Sequence, residues 1–171
     1  AKSKRLGFID TLHTNSLQIS FDRQIVLDNK ITFDEMMGSG TGNGGGEENH
    51  FMIDCYKTGG PMYYTPINIA TVLPGESQYF HGYDKKWCTN FGWSSRRLLG
   101  PFLGALYILH FAVKNHDKYN EYVTIVQMLT SAFKGFLENR TAEVIKKAYG
   151  GGKKLIYIPL YSHVEPLTMA A

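Results

Sequence analysis

Two cysteines, six histidines and a scatter of carboxylates are the residues with which this chain could do chemistry. Cys55 and Cys88 stand far apart with no Cys-x-x-Cys pair. They read as thiols of a reducing compartment, with a single disulfide as the alternative. No two of His13, His50, His81, His110, His116 and His163 are four apart, and no His-Glu-x-x-His occurs. No metal site and no cofactor are therefore expected. His110 falls in an apolar run and reads as a core histidine. His81 and Cys88, with Asp84 between them and Lys85 and Lys86 alongside, come nearest to a nucleophile pair. A reactive thiolate needs such a basic neighbour and partial exposure. The carboxylates of the second half are dispersed, and spacing alone brings no two of them across a cleft.

Residues 38–46 are glycine-rich and read as a flexible loop or linker. A phosphate-cradling loop would end in Gly-Lys-Ser/Thr, whereas Glu47 and Glu48 follow here. Two surfaces are richer in recognition chemistry. One is an aromatic stretch holding Tyr79, Phe80, Tyr83, Trp87, Phe91 and Trp93, interleaved with Lys85, Lys86, Arg96 and Arg97. Rings for stacking and cations for phosphates suit a cap-binding or single-stranded nucleic-acid site. The same mixture suits a membrane interface, or a loop folded with its rings over a sheet. The other surface is basic: Lys2, Lys4 and Arg5 at the start, and Arg140, Lys146, Lys147, Lys153 and Lys154 later. It reads as an anion-binding face or as a solvated helix face.

The elements that must position these groups follow from pattern. A chain of 171 residues fits a single domain over 1–171. Leu17, Ile19 and Phe21 alternate, and Asp28-Asn29 separates two apolar stretches, so residues 1–37 read as strands with a hairpin. Residues 51–57 read as another strand. Gly100-Pro101 reads as a helix start, and 102–115 is apolar nearly all round, which predicts a buried helix. An amphipathic helix is expected after Asp117, with Tyr119, Tyr122, Val126, Leu129, Phe133 and Phe136 on one face. A third is expected over 141–149, and a closing strand over 155–161. The order implies an α+β fold, an antiparallel sheet of N-terminal strands plus one C-terminal strand packed on two or three helices. A net charge of +3 steers little by itself. No signal peptide or full bilayer span is read, so an intracellular, cytoplasmic protein is expected, at most peripheral to a membrane.

Residues 127–138 resemble the active-site helix of ribosome-inactivating N-glycosidases. Ser131 stands where that family has its catalytic glutamate and Lys134 where it has its arginine, so that activity is not expected. The start, Lys2-Ser3-Lys4-Arg5-Leu6-Gly7, resembles the basic N-terminal arm of rhabdovirus matrix proteins. The order that follows is also similar: a strand region at 51–64, an aromatic loop, Arg96-Arg97, then an apolar helix containing glycine. The family's proline-rich budding motif is missing. The resemblance covers about a third of the chain and implies a small, basic, self-associating viral structural protein. Such a protein binds anionic membrane and nucleocapsid without catalysis. That is the first functional reading, in agreement with the basic clusters, the Tyr excess and the absence of a catalytic constellation. The second is an RNA-binding module that stacks bases on the aromatic stretch. The third is an enzyme assembled from residues distant in sequence, such as His81, Cys88 and Asp84.

Overall fold

The computed structural model describes residues 2–38, 41–68, 71 and 80–140. Its elements run β1 (Lys4–Arg5), α1 (Phe8–Thr11), α2 (Arg23–Asp28), α3 (Glu47–Lys57), β2 (Tyr63–Tyr64), α4 (Lys85–Lys114), α5 (His116–Tyr119) and α6 (Ile125–Leu137). A 3-10 turn occupies Ser16–Gln18.

Helix α4 carries the architecture. The Asp84 carboxylate accepts the Trp87 N–H at 2.7 Å and caps its start. At Gly100 the backbone leaves the helix with φ 74° and ψ 179°, a conformation open essentially to glycine alone. Pro101 then starts a second arm, where its missing N–H costs nothing. The arms, residues 85–99 and 101–114, fold back on each other as a helical hairpin. Phe91 meets Tyr107 at 5.6 Å and Phe111 at 4.6 Å between ring centroids, and Trp87 meets Phe111 at 5.5 Å.

Helix α6 lies across the first arm at backbone distance. A Cβ on Gly92 would sit 1.8 Å from the Ala132 carbonyl oxygen, and one on Gly135 the same distance from that of Thr89. Only glycine permits this approach. Cys88, Ile108, Ala112, Tyr119, Val123, Met128, Ala132 and Phe136 fill the resulting core. The Tyr119 hydroxyl donates to the Ala112 carbonyl inside it. Thr124 and Gln127 form a reciprocal capping box that starts α6.

The N-terminal part makes a thinner layer. Helix α3 buries Phe51, Met52 and Ile53, and Phe21 and Phe33 pack on the Phe51 ring at 5.0 and 4.6 Å. Arg97 of α4 grips Asp34 with two hydrogen bonds, one of them 2.8 Å from Nη2 to Oδ1.

This architecture overturns the expected α+β fold. The sheet among the described residues is β1 paired antiparallel with β2, two residues each, and no sheet backs the helices. Residues 51–57 are helical because all of Phe51, Met52 and Ile53 find cover, while Glu47 and Glu48 in the first turn and Lys57 in the last complement the helix dipole. The supposed hairpin around Asp28-Asn29 is instead the end of α2, capped at its start by Asp22 and closed by Asn29. The aromatic stretch is no loop from residue 85 onward. The amphipathic helix expected after Asp117 is divided into α5 and α6. The helix and strand expected at 141–149 and 155–161 lie outside the described residues.

Candidate functional site: a half-covered helical hairpin and an aromatic cleft

The second arm of α4 turns one face to the core and the other outward. Ile108 and Ala112 are fully covered, whereas Phe102 and Val113 are 74% and 75% exposed, and Leu103, Leu106 and Leu109 about half exposed. Residues 102, 106, 109 and 113 recur at helical spacing, so the exposed side chains form one continuous apolar stripe. Pro101 is exposed at the tip of the hairpin. At the open end, where Trp87 meets Phe111, exposed Lys85 and Lys86 lie at the same end as exposed Lys114 and Lys118, with Asp84 and Asp117 the only carboxylates of these segments. The arm was expected to be buried all round. Its apolar periodicity could not distinguish an inner from an outer face, and a further signal is the lysines that close both arms at the open end of the hairpin.

A cleft of about 420 Å³ lies between the first arm and the glycine run. Trp87 and Phe91 stack with their planes 7° apart and line it together with Tyr107. Residues 44–46 form the facing wall. Gly44 and Gly46 have φ of 87° and 116°, so this wall presents backbone without side chains. Three contacts fasten it to the rest. Asn90 Nδ2 donates to the Gly42 carbonyl at 3.2 Å and Ser94 Oγ to that of Gly45 at 3.3 Å. Arg140 donates to both Asn43 and Asn90, at 2.7 and 3.0 Å. The described residues of the glycine run are thus held by specific bonds.

The residues singled out by sequence divide between these places. Trp87, Phe91, Phe80 and Lys86 line the cleft, Lys85 lies next to it at the open end of the hairpin, and Tyr83 packs edge-on to Phe80 and Trp87. Trp93 is buried, with the guanidinium groups of Arg97 and Arg140 over its ring at 5.3 and 5.2 Å. Arg96 donates to the Phe136 carbonyl and also lies over that ring. These three arginines serve the packing of the fold. Lys4 pairs with Asp10 at 2.8 Å and Arg5 belongs to β1, while Lys2 is exposed. Tyr79, Lys146, Lys147, Lys153 and Lys154 lie outside the described residues. Asn49, Tyr107 and the wall at 44–46 were not foreseen, because nothing local in sequence announces that they meet.

Burial, with Asp84 nearby, pushes the Cys88 thiol up to about 11, and its Sγ faces the Tyr83 carbonyl at 3.7 Å. Such a thiol is protonated at neutral pH and a poor nucleophile. Among the described residues no three His, Cys, Asp or Glu side chains converge as metal ligands would. Burial, with the neighbouring Glu47, also pushes the Glu48 carboxyl up at the start of α3, against the lowering influence of the Glu48 and Gly46 backbone. No family model, curated protein or solved structure matches the chain.

Proposed function

We propose that this is a non-catalytic interaction protein that binds an anionic membrane surface through the outer face of the second arm of α4. The observation that carries the reading is the contrast within one helix between covered Ile108 and Ala112 and exposed Phe102, Leu106, Leu109 and Val113. An apolar stripe of this kind marks a place that something covers. The arm of 14 residues is about 20 Å long, too short to cross a bilayer core and well suited to lie in its interface. Completing the burial of its exposed side chains contributes on the order of 5 kcal/mol, enough for reversible attachment. The lysines at the open end favour anionic headgroups over a second, equally cationic copy. Membrane attachment without catalysis is also what the resemblance to rhabdovirus matrix proteins implies.

The test is co-sedimentation with vesicles of phosphatidylcholine, with and without phosphatidylserine. The protein is expected to pellet with the anionic vesicles at low salt and to release as salt rises. Leu106→Asp with Leu109→Asp, both on the exposed face, weakens this by at least about tenfold, the factor that corresponds to about 1.4 kcal/mol. A protein that stays in the supernatant, or a double variant that pellets like the parent, refutes the assignment. A dimer in solution that this variant dissociates, without vesicle binding, would instead make a second copy the occupant.

A further inference from the structure

A second recognition site is built into the opposite side of the first arm, independent of the apolar stripe. We infer that the cleft between Trp87, Phe91 and the glycine wall at 44–46 takes a planar nitrogen heterocycle of nucleobase size. Three observations point there. The cleft is lined by the rings of Trp87 and Phe91 and by the glycine backbone at 44–46, surfaces on which a flat group can lie. Its volume of about 420 Å³ falls at the small end of ligand pockets. The glycine wall is fastened in place by Asn90 and Ser94, so the site is formed before any ligand arrives.

Its polar groups select among flat ligands. Asn49 spends both amide hydrogens on the carbonyls of Thr11 and Thr14, at 2.8 and 3.0 Å. Its Oδ1 accepts no hydrogen bond among the described residues, and the Tyr107 hydroxyl makes none. Burial pushes the Tyr107 phenol up, so it remains a neutral donor. Beside His81, Asp84 and Lys86 on the same lining, Asn49 and Tyr107 thus offer the cleft an acceptor and a donor. A ring that carries both an N–H and a ring nitrogen or carbonyl at its edge satisfies the pair, as a nucleobase does. Lys86 is the only lysine or arginine on the lining, placed to meet a phosphate attached to such a ring.

The base could belong to a free nucleotide or to a single strand, and one titration separates the two. Tryptophan fluorescence, from Trp87 in the cleft and from buried Trp93, is followed in the whole chain while the four nucleosides, their monophosphates and a mixed-sequence oligonucleotide are added, with acrylamide as the quencher that reports the more exposed ring. At least one nucleoside series is expected to quench the emission and to protect it from acrylamide. Equal strength for monophosphate and oligonucleotide assigns the free nucleotide. Stronger binding by the oligonucleotide, falling steeply with salt, assigns the strand. Gly45→Leu adds bulk to the glycine wall without strain, since a Cβ there meets nothing nearer than 3.9 Å and its φ is not positive. It is expected to abolish the response with an unchanged circular dichroism spectrum. Tyr107→Phe weakens binding about three- to tenfold by removing one hydrogen bond. No response from any ligand to millimolar concentration, or an undiminished response in Gly45→Leu, overturns the inference.

Discussion

Replacing Gly92 by alanine tests the packing on which the whole helical unit rests. Alanine gains about 1 kcal/mol of intrinsic helix propensity over glycine, so an exposed glycine at this place would be improved by the change. Here the new Cβ would meet the Ala132 carbonyl oxygen at 1.8 Å and the Ala132 Cα at 2.8 Å. Carbon and oxygen settle at about 3.3 Å or more even in the closest helix contacts. Either α6 or the first arm must therefore withdraw by about 1.5 Å, and both colliding groups are backbone. A gap of about 0.5–1 Å already forfeits a quarter to a half of the dispersion energy across it. Cys88, Met128 and Ala132 would lose much of their contact. Overpacking penalties run at about 1–3 kcal/mol and occasionally higher. With backbone colliding on backbone the cost lies at the top of that range, about 3 kcal/mol or more. The propensity gain offsets about 1 kcal/mol of it, and the expected net loss is about 2 kcal/mol or more. For a chain of this size that corresponds to a fall in Tm of about 4–8 °C or more. Thermal unfolding followed by circular dichroism reads it, with Gly45→Ala as a control expected to stay within about 2 °C. A Gly92→Ala protein that melts in that same narrow window would refute the close approach of α4 and α6.

Three further outcomes are expected. Burial raises the Asp34 carboxyl, but the hydrogen bonds from Arg97 and the Met36 N–H outweigh it and hold the group below 3.8. Its contribution is complete above that value and lost as pH falls through the lower folded one. Arg97→Ala should therefore cost about 1.5–3 kcal/mol at neutral pH, and the deficit measured by urea unfolding should shrink in acid; a deficit independent of pH would dismiss the pair. A thiol-specific reagent should modify half-buried Cys55 in the native protein, while the Cys55→Ser variant should react at Cys88 only in denaturant. Fast native reaction of that variant would show that the core around Cys88 is open. Tyr119→Phe leaves the Ala112 carbonyl unpaired in the core and should cost about 1–2 kcal/mol in chemical unfolding; an unchanged midpoint would contradict that bond.

The helix start at Gly100-Pro101 was legible because proline and glycine constrain backbone locally, whatever surrounds them. The helical run before it was missed, although Asp84 is a sound cap and Trp87, Phe91, Ser95 and Leu98 recur at helical spacing. Interleaved rings and cations suit a recognition loop and mask the helical period. Residues 51–57 show the opposite failure: a short apolar run suits a strand or a buried helix equally, and acidic residues at its head were the arbitrating sign. Leu17, Ile19 and Phe21 alternate as strand residues do, yet among the described residues no strand pairs with them. At the site, Trp87 and Phe91 were legible from type alone. Their glycine wall was not, because residue 44 meets residue 90 only through tertiary folding.

Gly100 and Pro101 have a consequence for how many shapes the chain can take. Drawn out as one unbroken rod, the 30 residues of α4 would extend about 45 Å, and the second arm would then seek its place in another molecule's core. Exchange of this kind is a low-cost route to intertwined dimers. Pro101 stands against it, since a proline inside a continuous helix costs about 3 kcal/mol. Gly100 permits the reversal and its neighbour penalises the alternative. Their adjacency keeps each hairpin folded onto its own chain.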